Sequence, residues 1–226
     1  MTKKDSLNIP HPTPNEIEGC LLEWEKPQKE ENRKYAPQEK SLNKLFGKTY
    51  PLNNDLDDVL IKVSSLNDFY STNIFSPYAV AKHIVELDID LKLEQGDLPI
   101  VNTIAKVVMT EGKLPIDFYS FATKYCSHHK PLTYPIYDSY VVKMLLYFKK
   151  YDEKFDQFYS FKKESLRTYE IYKEAISKFR EFYGLTKFNL KEIDKYLWMK
   201  GKEHFPKDFS RKSKKNQDKI NINEQH

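Results

Sequence analysis

The distribution of apolar positions along the chain predicts a succession of amphipathic helices. In residues 73–87, Val80, Ile84 and Leu87 recur at the spacing that places side chains on one face of a helix. No segment shows the sustained alternation of apolar and polar residues that is typical of a half-buried strand. The pattern therefore predicts an all-α protein. Further helices are predicted over residues 56–66, 97–113, 115–129, 138–152, 165–184 and 189–202.

Capping residues indicate where several of these helices begin and end. Ser76 followed by Pro77 is a favoured helix start, and Asn189 is a predicted N-cap for the last helix. Asp138 precedes an apolar run and is expected to cap its helix as well. Glycine is the residue that most often ends a helix. The predicted stops are Gly112, Gly184 and Gly201.

The two ends of the chain differ in composition from its middle. Residues 1–45 are polar and rich in proline, so we expect an irregular arm with one short helix near residues 16–24. Residues 46–205 hold the predicted helices and form the expected helical domain. Residues 206–226 are hydrophilic and basic, which predicts a disordered tail.

The composition argues against several classes of site. Cys20 and Cys126 are the two cysteines of the chain, too few for a disulfide framework or a four-cysteine metal site. The six glycines include no glycine-rich phosphate loop, and the histidines lack metal-ligand spacing. We therefore expect neither metal nor cofactor. An apolar run long enough for a membrane span or a signal peptide is missing, so a soluble cytoplasmic protein without membrane association is expected.

Charge and aromatic content leave nucleic-acid binding open. The net charge is +4, and the chain holds 16 tyrosines and 14 phenylalanines, many of them among lysines. Basic, aromatic-rich surfaces can stack bases. Tyrosine is also an ordinary residue at the edge of a protein core. Composition alone therefore does not distinguish these two roles.

One motif in residues 114–145 is more specific. It begins "LPIDFYSFATKY" and continues to "YPIYDSYVVKML". This order resembles the helix-hairpin-helix DNA glycosylase superfamily, which includes endonuclease III, adenine glycosylase and 8-oxoguanine glycosylases. Its signature is a Leu-Pro-Gly-Val-Gly hairpin followed by Pro-Ile/Val-x-Asp. The two hairpin glycines, which let backbone N–H groups approach a DNA phosphate, are replaced here by Ile116 and Phe118.

The resemblance implies two helical subdomains around a DNA-binding cleft, with Asp138 as the catalytic carboxylate. Such a carboxylate stabilises the positive charge that develops on the sugar as the base leaves. Bifunctional members carry a lysine nucleophile at the position of Ser120, so the resemblance implies a monofunctional enzyme that uses water. The expected DNA-binding residues are Lys113, Ser120, Lys124, Lys130 and Lys143.

A base must leave the duplex to be excised, which requires a pocket with an aromatic wall and a polar end. Tyr70, Asn73 and Tyr134 are of suitable residue types and are the predicted base-pocket residues, although ordinary loop and core roles are more common for such residues. His128 and His129, next to Lys130, are expected to form a solvated basic loop.

Three functional hypotheses follow. The first is a monomeric DNA glycosylase that acts on a damaged or modified base of duplex DNA, in repair or in defence against phages, and that would associate with the nucleoid in a bacterium. The second is a DNA-binding protein that keeps the fold without catalysis. The third is a helical interaction protein whose charged residues form solvated faces. Whether Asp138 faces an open cleft distinguishes the first two.

Overall fold

The structure is a computed structural model that describes residues 9–26 and 35–206. These residues form an all-α domain, as predicted. The helices are α1 Pro14–Glu25, α2 Tyr35–Lys44, α3 Leu56–Tyr70, α4 Pro77–Glu86, α5 Asp90–Gln95, α6 Pro99–Ala105, α7 Tyr119–His129, α8 Ser139–Tyr151, α9 Glu153–Phe158, α10 Tyr169–Phe182 and α11 Leu190–His204. A π-helical turn, Leu45–Thr49, follows α2, and a 3-10 turn, Glu164–Arg167, precedes α10. Two short strands, β1 Lys106–Val107 and β2 Ile116–Asp117, complete the described elements.

The helices pack in two groups that meet where α6 contacts α10. In one group α11 lies between α1 and α8, and α10 packs against α8 and α11. In the other group α3 packs against α4, α6 packs against α7, and α7 also contacts α2 and α3. Within the described ranges, no helix combines the length and apolar character needed to cross a bilayer.

The short helix predicted near residues 16–24 is confirmed, but the expectation that the rest of residues 1–45 is irregular is wrong for the part that the structure describes. Pro14–Glu25 and Tyr35–Lys44 are both helical. Ile17, Cys20 and Trp24 lie at helical spacing and are buried where α1 packs against α11. A helix needs only one apolar face to pack against a protein core, so a few apolar residues among many charges were enough for α1. The predicted tail lies outside the described residues from position 207 onward.

The predicted helix over residues 97–113 ends at Ala105. Lys106 and Val107 instead pair antiparallel with Asp117 and Ile116. The amide of Phe118 donates to the carbonyl of Ala105 at 2.8 Å, which closes this β-hairpin directly before α7. The substituted hairpin therefore leads from β2 into α7, and the side chain of Ile116 is half exposed.

Several of the predicted boundaries are confirmed, but two of the predicted stops, Gly112 and Gly201, end no helix. Asn189 accepts from the amide of Glu192 at 3.0 Å in a complete capping box. Gly184 follows α10 with φ +65°. Gly201, however, lies inside α11, where a Cβ atom would stand 2.6 Å from the carbonyl oxygen of Tyr140. Glycine at this position permits close contact between α11 and α8 and does not end the helix.

Candidate functional site

Asp138 lies in the wall of a cleft, named the Asp138 cleft below, that is formed by five helices and by the segment before α8. The space between its side chains, including the open mouth, is about 670 Å³. The apolar and aromatic lining consists of Trp24, Tyr35, Phe69, Tyr70, Ile136 and Trp198. The polar lining consists of Gln38, Glu39, Lys124, Asp138, Lys191, Asp194 and Lys195.

The aromatic wall brings together the two ends of the described chain. Trp24 of α1 and Trp198 of α11 meet edge to face, with ring centroids 5.9 Å apart and an interplanar angle of 83°. Tyr35 meets Trp198 in the same way at 5.1 Å. Edge-to-face packing holds each ring in place by its neighbour. The cleft therefore has a preformed aromatic wall.

Asp138 both caps α8 and lines the cleft. Its backbone is extended, with φ −132° and ψ 150°, and its Oδ1 accepts from the amide of Tyr140 at 2.8 Å. The side chain is only partly buried. One carboxylate oxygen thus satisfies the helix end, and the group remains part of an open site.

Lys124 lies in the cleft and not on an outer surface. Its side chain is almost fully buried. The ammonium nitrogen donates to Ser120 Oγ at 2.6 Å and to the carbonyl oxygens of Ser120 at 3.3 Å and Tyr137 at 3.5 Å. It also lies 5.3 Å from the centre of the Tyr70 ring. The structure therefore places Lys124, Ser120 and Tyr70 close to Tyr137, the residue that precedes Asp138.

Asp194 is a second carboxyl group of the cleft that sequence reasoning missed. It is 4% exposed, its Oδ2 accepts from the amide of Ile136 at 3.4 Å, and its Oδ1 is buried without a hydrogen-bond partner. Burial raises its pKa to about 7, the ammonium of Lys191 opposes that rise and the charge of Asp138 adds to it. A carboxyl residue beside Ile193 on the apolar face of a predicted helix was the available signal.

An ion-pair group closes one side of the cleft. The carboxylate of Glu39 on α2 lies 3.5 Å from Lys191 Nζ and 3.0 Å from Lys195 Nζ on α11. Burial alone would raise the pKa of Glu39, but the two ammonium groups outweigh it and lower that pKa. These lysines are therefore engaged within the cleft, where they fasten α2 to α11.

The structure does not bring the other predicted site residues to the cleft. Tyr134 is fully buried in the core and donates to the carbonyl of Asp97 at 3.1 Å. Asn73 is exposed in the loop after α3, with φ 60°. Lys113 and Lys143 are exposed, and Lys130 pairs with Glu94. Tyr134 therefore cannot contact a base in this arrangement, while DNA contacts by the exposed lysines stay a prediction.

The expectation that His128 and His129 are solvated is wrong. Both lie in α7 and are largely enclosed, and burial lowers the pKa of each to about 3. His128 Nε2 lies 3.1 Å from the hydroxyl of Tyr70, and His129 Nε2 lies 3.1 Å from Asn53 Oδ1. The two rings are therefore neutral structural groups that fasten α7 to the elements before it.

Comparisons with known proteins identify a family but do not indicate an activity. The HI_0787_N family model, described as an N-terminal domain, matches residues 16–133. A protein of Haemophilus influenzae strain Rd with the name "Uncharacterized protein" is 47% identical to the chain over 153 residues. The alignment covers 67% of this chain and 70% of the relative. No solved structure matches the chain. The matched range holds Trp24, Glu39, Tyr70 and Lys124 of the cleft, and the other carboxyl groups follow it.

Proposed function

This chain belongs to the protein family that the HI_0787_N model describes, and we propose that it is a monofunctional DNA glycosylase that hydrolyses the N-glycosidic bond of a damaged or modified base. One observation carries the proposal. Asp138, the residue that the motif resemblance marks as catalytic, lies in the wall of a cleft with aromatic sides. A residue needed only as a helix cap would not require such a setting.

The aromatic wall supports the binding of a base that has left the duplex. Stacking on aromatic side chains contributes about 1–3 kcal/mol per base and tolerates differences between bases. Trp24, Tyr35 and Trp198 supply rings that neighbouring rings already hold in place. Part of the energy lost when a base leaves its stack in DNA is thereby recovered in the cleft.

Asp138 has the chemistry that breaking the glycosidic bond requires. As the bond between the sugar carbon and the base nitrogen lengthens, positive charge develops on the sugar. The carboxylate of Asp138 stabilises that charge and takes a proton from the attacking water. The bonding pair of the broken bond leaves with the base, which is protonated as it departs. The products are the free base and an abasic site.

Ser120 supports hydrolysis over covalent catalysis. It stands where the resemblance places the lysine nucleophile of bifunctional enzymes, and its hydroxyl donates to the carbonyl of Tyr137 at 3.2 Å. The nearby ammonium of Lys124 donates to three oxygen atoms of the protein. We therefore expect an abasic product without strand cleavage.

An excision assay tests this function. The protein is incubated with duplexes and single strands that each carry one damaged or hypermodified base, and alkali then converts abasic sites to strand breaks. We expect breaks after alkali with at least one substrate, none before it, and a loss of at least about a hundredfold in rate for Asp138→Asn. Asparagine caps helices as well as aspartate does, so this variant should remain folded.

Asp55→Asn is the matched control, because Asp55 caps α3 by accepting from Asp57 N at 2.9 Å and Asp58 N at 3.1 Å, and does not line the cleft. Its excision rate should equal that of the wild type. Salt-sensitive DNA binding without excision, unchanged in Asp138→Asn, would replace the proposal with a non-catalytic DNA-binding protein. Neither excision nor binding would leave the helical interaction protein.

A further inference from the structure

We infer that Asp194 is the ligand-recognising residue of the Asp138 cleft: its Oδ1, as part of a neutral carboxylic acid, donates a hydrogen bond to a ring nitrogen or carbonyl oxygen of a neutral heteroaromatic ligand. The identity of that ligand as a nucleobase rests on the proposed function. The recognition role itself does not depend on catalysis. It rests on the position, burial and surroundings of one side chain.

The first argument is the unpaired oxygen. Buried polar atoms are nearly always hydrogen-bonded, and one that is not destabilises the fold by about 1–3 kcal/mol. Asp194 Oδ1 is such an atom: it is enclosed and its residue is 4% exposed, but the residue belongs to the lining of the cleft, so a ligand reaches Oδ1 when the side chains over it move aside. Its Oδ2 is already engaged by the amide of Ile136. A ligand in the cleft can supply the partner that the protein does not supply.

The second argument is the charge around Asp194. The charged and titratable groups that face it are Lys191 on its own helix, Lys124 on α7, Asp138 before α8, Tyr70 on α3, and Tyr169 and Tyr172 on α10. Lys191 is engaged by Glu39, and Lys124 by Ser120. Burial and the carboxylate of Asp138 therefore prevail, and they raise the pKa of Asp194 to about 7.

Asp138 and Asp194 thereby acquire different roles in the cleft. Burial, with a smaller contribution from the charge of Asp138, favours the protonated form of Asp194 below a pKa of about 7. Environment divides two carboxyl groups between acid and anion in this way in several enzymes. The more deeply buried group, Asp194, is the one that can donate to an acceptor on the ligand. It thus favours neutral bases below its pKa and cationic, alkylated bases above it.

Tryptophan fluorescence provides the test, because both tryptophans of the chain, Trp24 and Trp198, line the cleft. The four neutral deoxynucleosides and cationic 1-methyladenosine are titrated against the full chain. We expect at least one neutral nucleoside to bind about tenfold more tightly at about pH 6 than at about pH 8. The cation should show the opposite trend.

Variants separate recognition from structure. Asp194→Asn keeps a neutral donor, so it should retain binding and lose the pH dependence, whereas Asp194→Leu should lose binding by about tenfold or more while circular dichroism shows it folded. Asp55→Asn should behave as the wild type. Binding that is independent of pH and equal in Asp194→Leu, or no quenching by any nucleoside, would overturn the inference. A DNA excision assay that fails while this pH dependence persists would overturn only the proposed catalysis.

Discussion

The ammonium nitrogen of Lys124 lies 2.6 Å from the hydroxyl oxygen of Ser120, one turn earlier in α7. Ser120 stands at the position where the resembled superfamily places its lysine nucleophile. The chain thus brings an amine to this position from the next turn of the same helix. Because that ammonium also donates to two backbone carbonyl oxygens, we interpret it as a fixed positive charge beside Asp138 and not as a nucleophile.

Replacement of this charge tests the interpretation. Lys124→Met should lower excision by about ten- to a hundredfold, because a fixed charge near the reacting sugar and its phosphates is lost. The exposed Lys92→Met, at a residue without a proposed role in DNA binding, is the control and should have little effect on excision. Borohydride should trap no covalent complex between the wild-type protein and DNA. A trapped complex that disappears in Lys124→Met would instead make Lys124 a nucleophile.

Asp194 should make stability depend on pH. Its pKa is raised from 3.8 to about 7 in the folded protein, so between these values the folded state holds a proton that the unfolded chain releases. Stability therefore falls as pH rises through this window. Asp194→Asn removes the effect and should gain about 2 kcal/mol relative to the wild type on going from about pH 5 to about pH 8.

Urea denaturation at the two pH values measures this difference. Asp55→Asn should follow the wild type at both. An Asp194→Asn variant that changes stability equally at the two values would show that Asp194 titrates in its ordinary range, and it would also remove the basis for pH-dependent recognition. A gain in stability on losing a functional group is a common trade-off in binding sites.

Gly201 should tolerate no side chain. A Cβ atom there would stand 2.6 Å from the carbonyl oxygen and 2.8 Å from the carbonyl carbon of Tyr140. Because these are backbone atoms, Gly201→Ala should force α8 and α11 apart and destabilise the protein by about 2–3 kcal/mol. Thermal denaturation measures the loss.

Gly19→Ala is the matched helical control, since nothing lies within 4 Å of a Cβ atom at that position. Alanine is the better helix former, so this variant should be more stable by about 0.5–1 kcal/mol. Equal melting temperatures for the two alanine variants would contradict the close contact between the helices.

Lys62 should be essential to the fold although it is charged. Its buried ammonium donates to Tyr50 O at 3.1 Å, Leu52 O at 2.7 Å and Asn53 Oδ1 at 2.6 Å. Lys62→Met keeps the aliphatic part and leaves these acceptors without that donor, so a loss of about 2–4 kcal/mol is expected in chemical denaturation. The exposed Lys92→Met should change stability by less than about 0.5 kcal/mol. Similar values for both would show that the buried network contributes little.

The sequence by itself determined the all-α class, most of the helices and several of their ends. Apolar spacing and capping are short-range properties, so the helix at 189–202 and its cap at Asn189 can be predicted without knowing what they pack against. Asp138 could be singled out for the same reason, because its motif is contiguous. The local sequence already predicted that Asp138 would cap its helix, and the motif predicted that it would also line a cleft.

The tertiary structure alone decided which residues share the cleft. Trp24 and Trp198 are in contact although they lie near opposite ends of the described chain, and Asp194 approaches Lys124 and Asp138 from another helix. Such contacts depend on which helix faces come together, a long-range property that spacing along one helix does not encode. Burial likewise depends on neighbours, which is why His128 is buried although its local sequence predicts a solvated group, and why Gly201 serves a helix contact where the local pattern predicts a helix end.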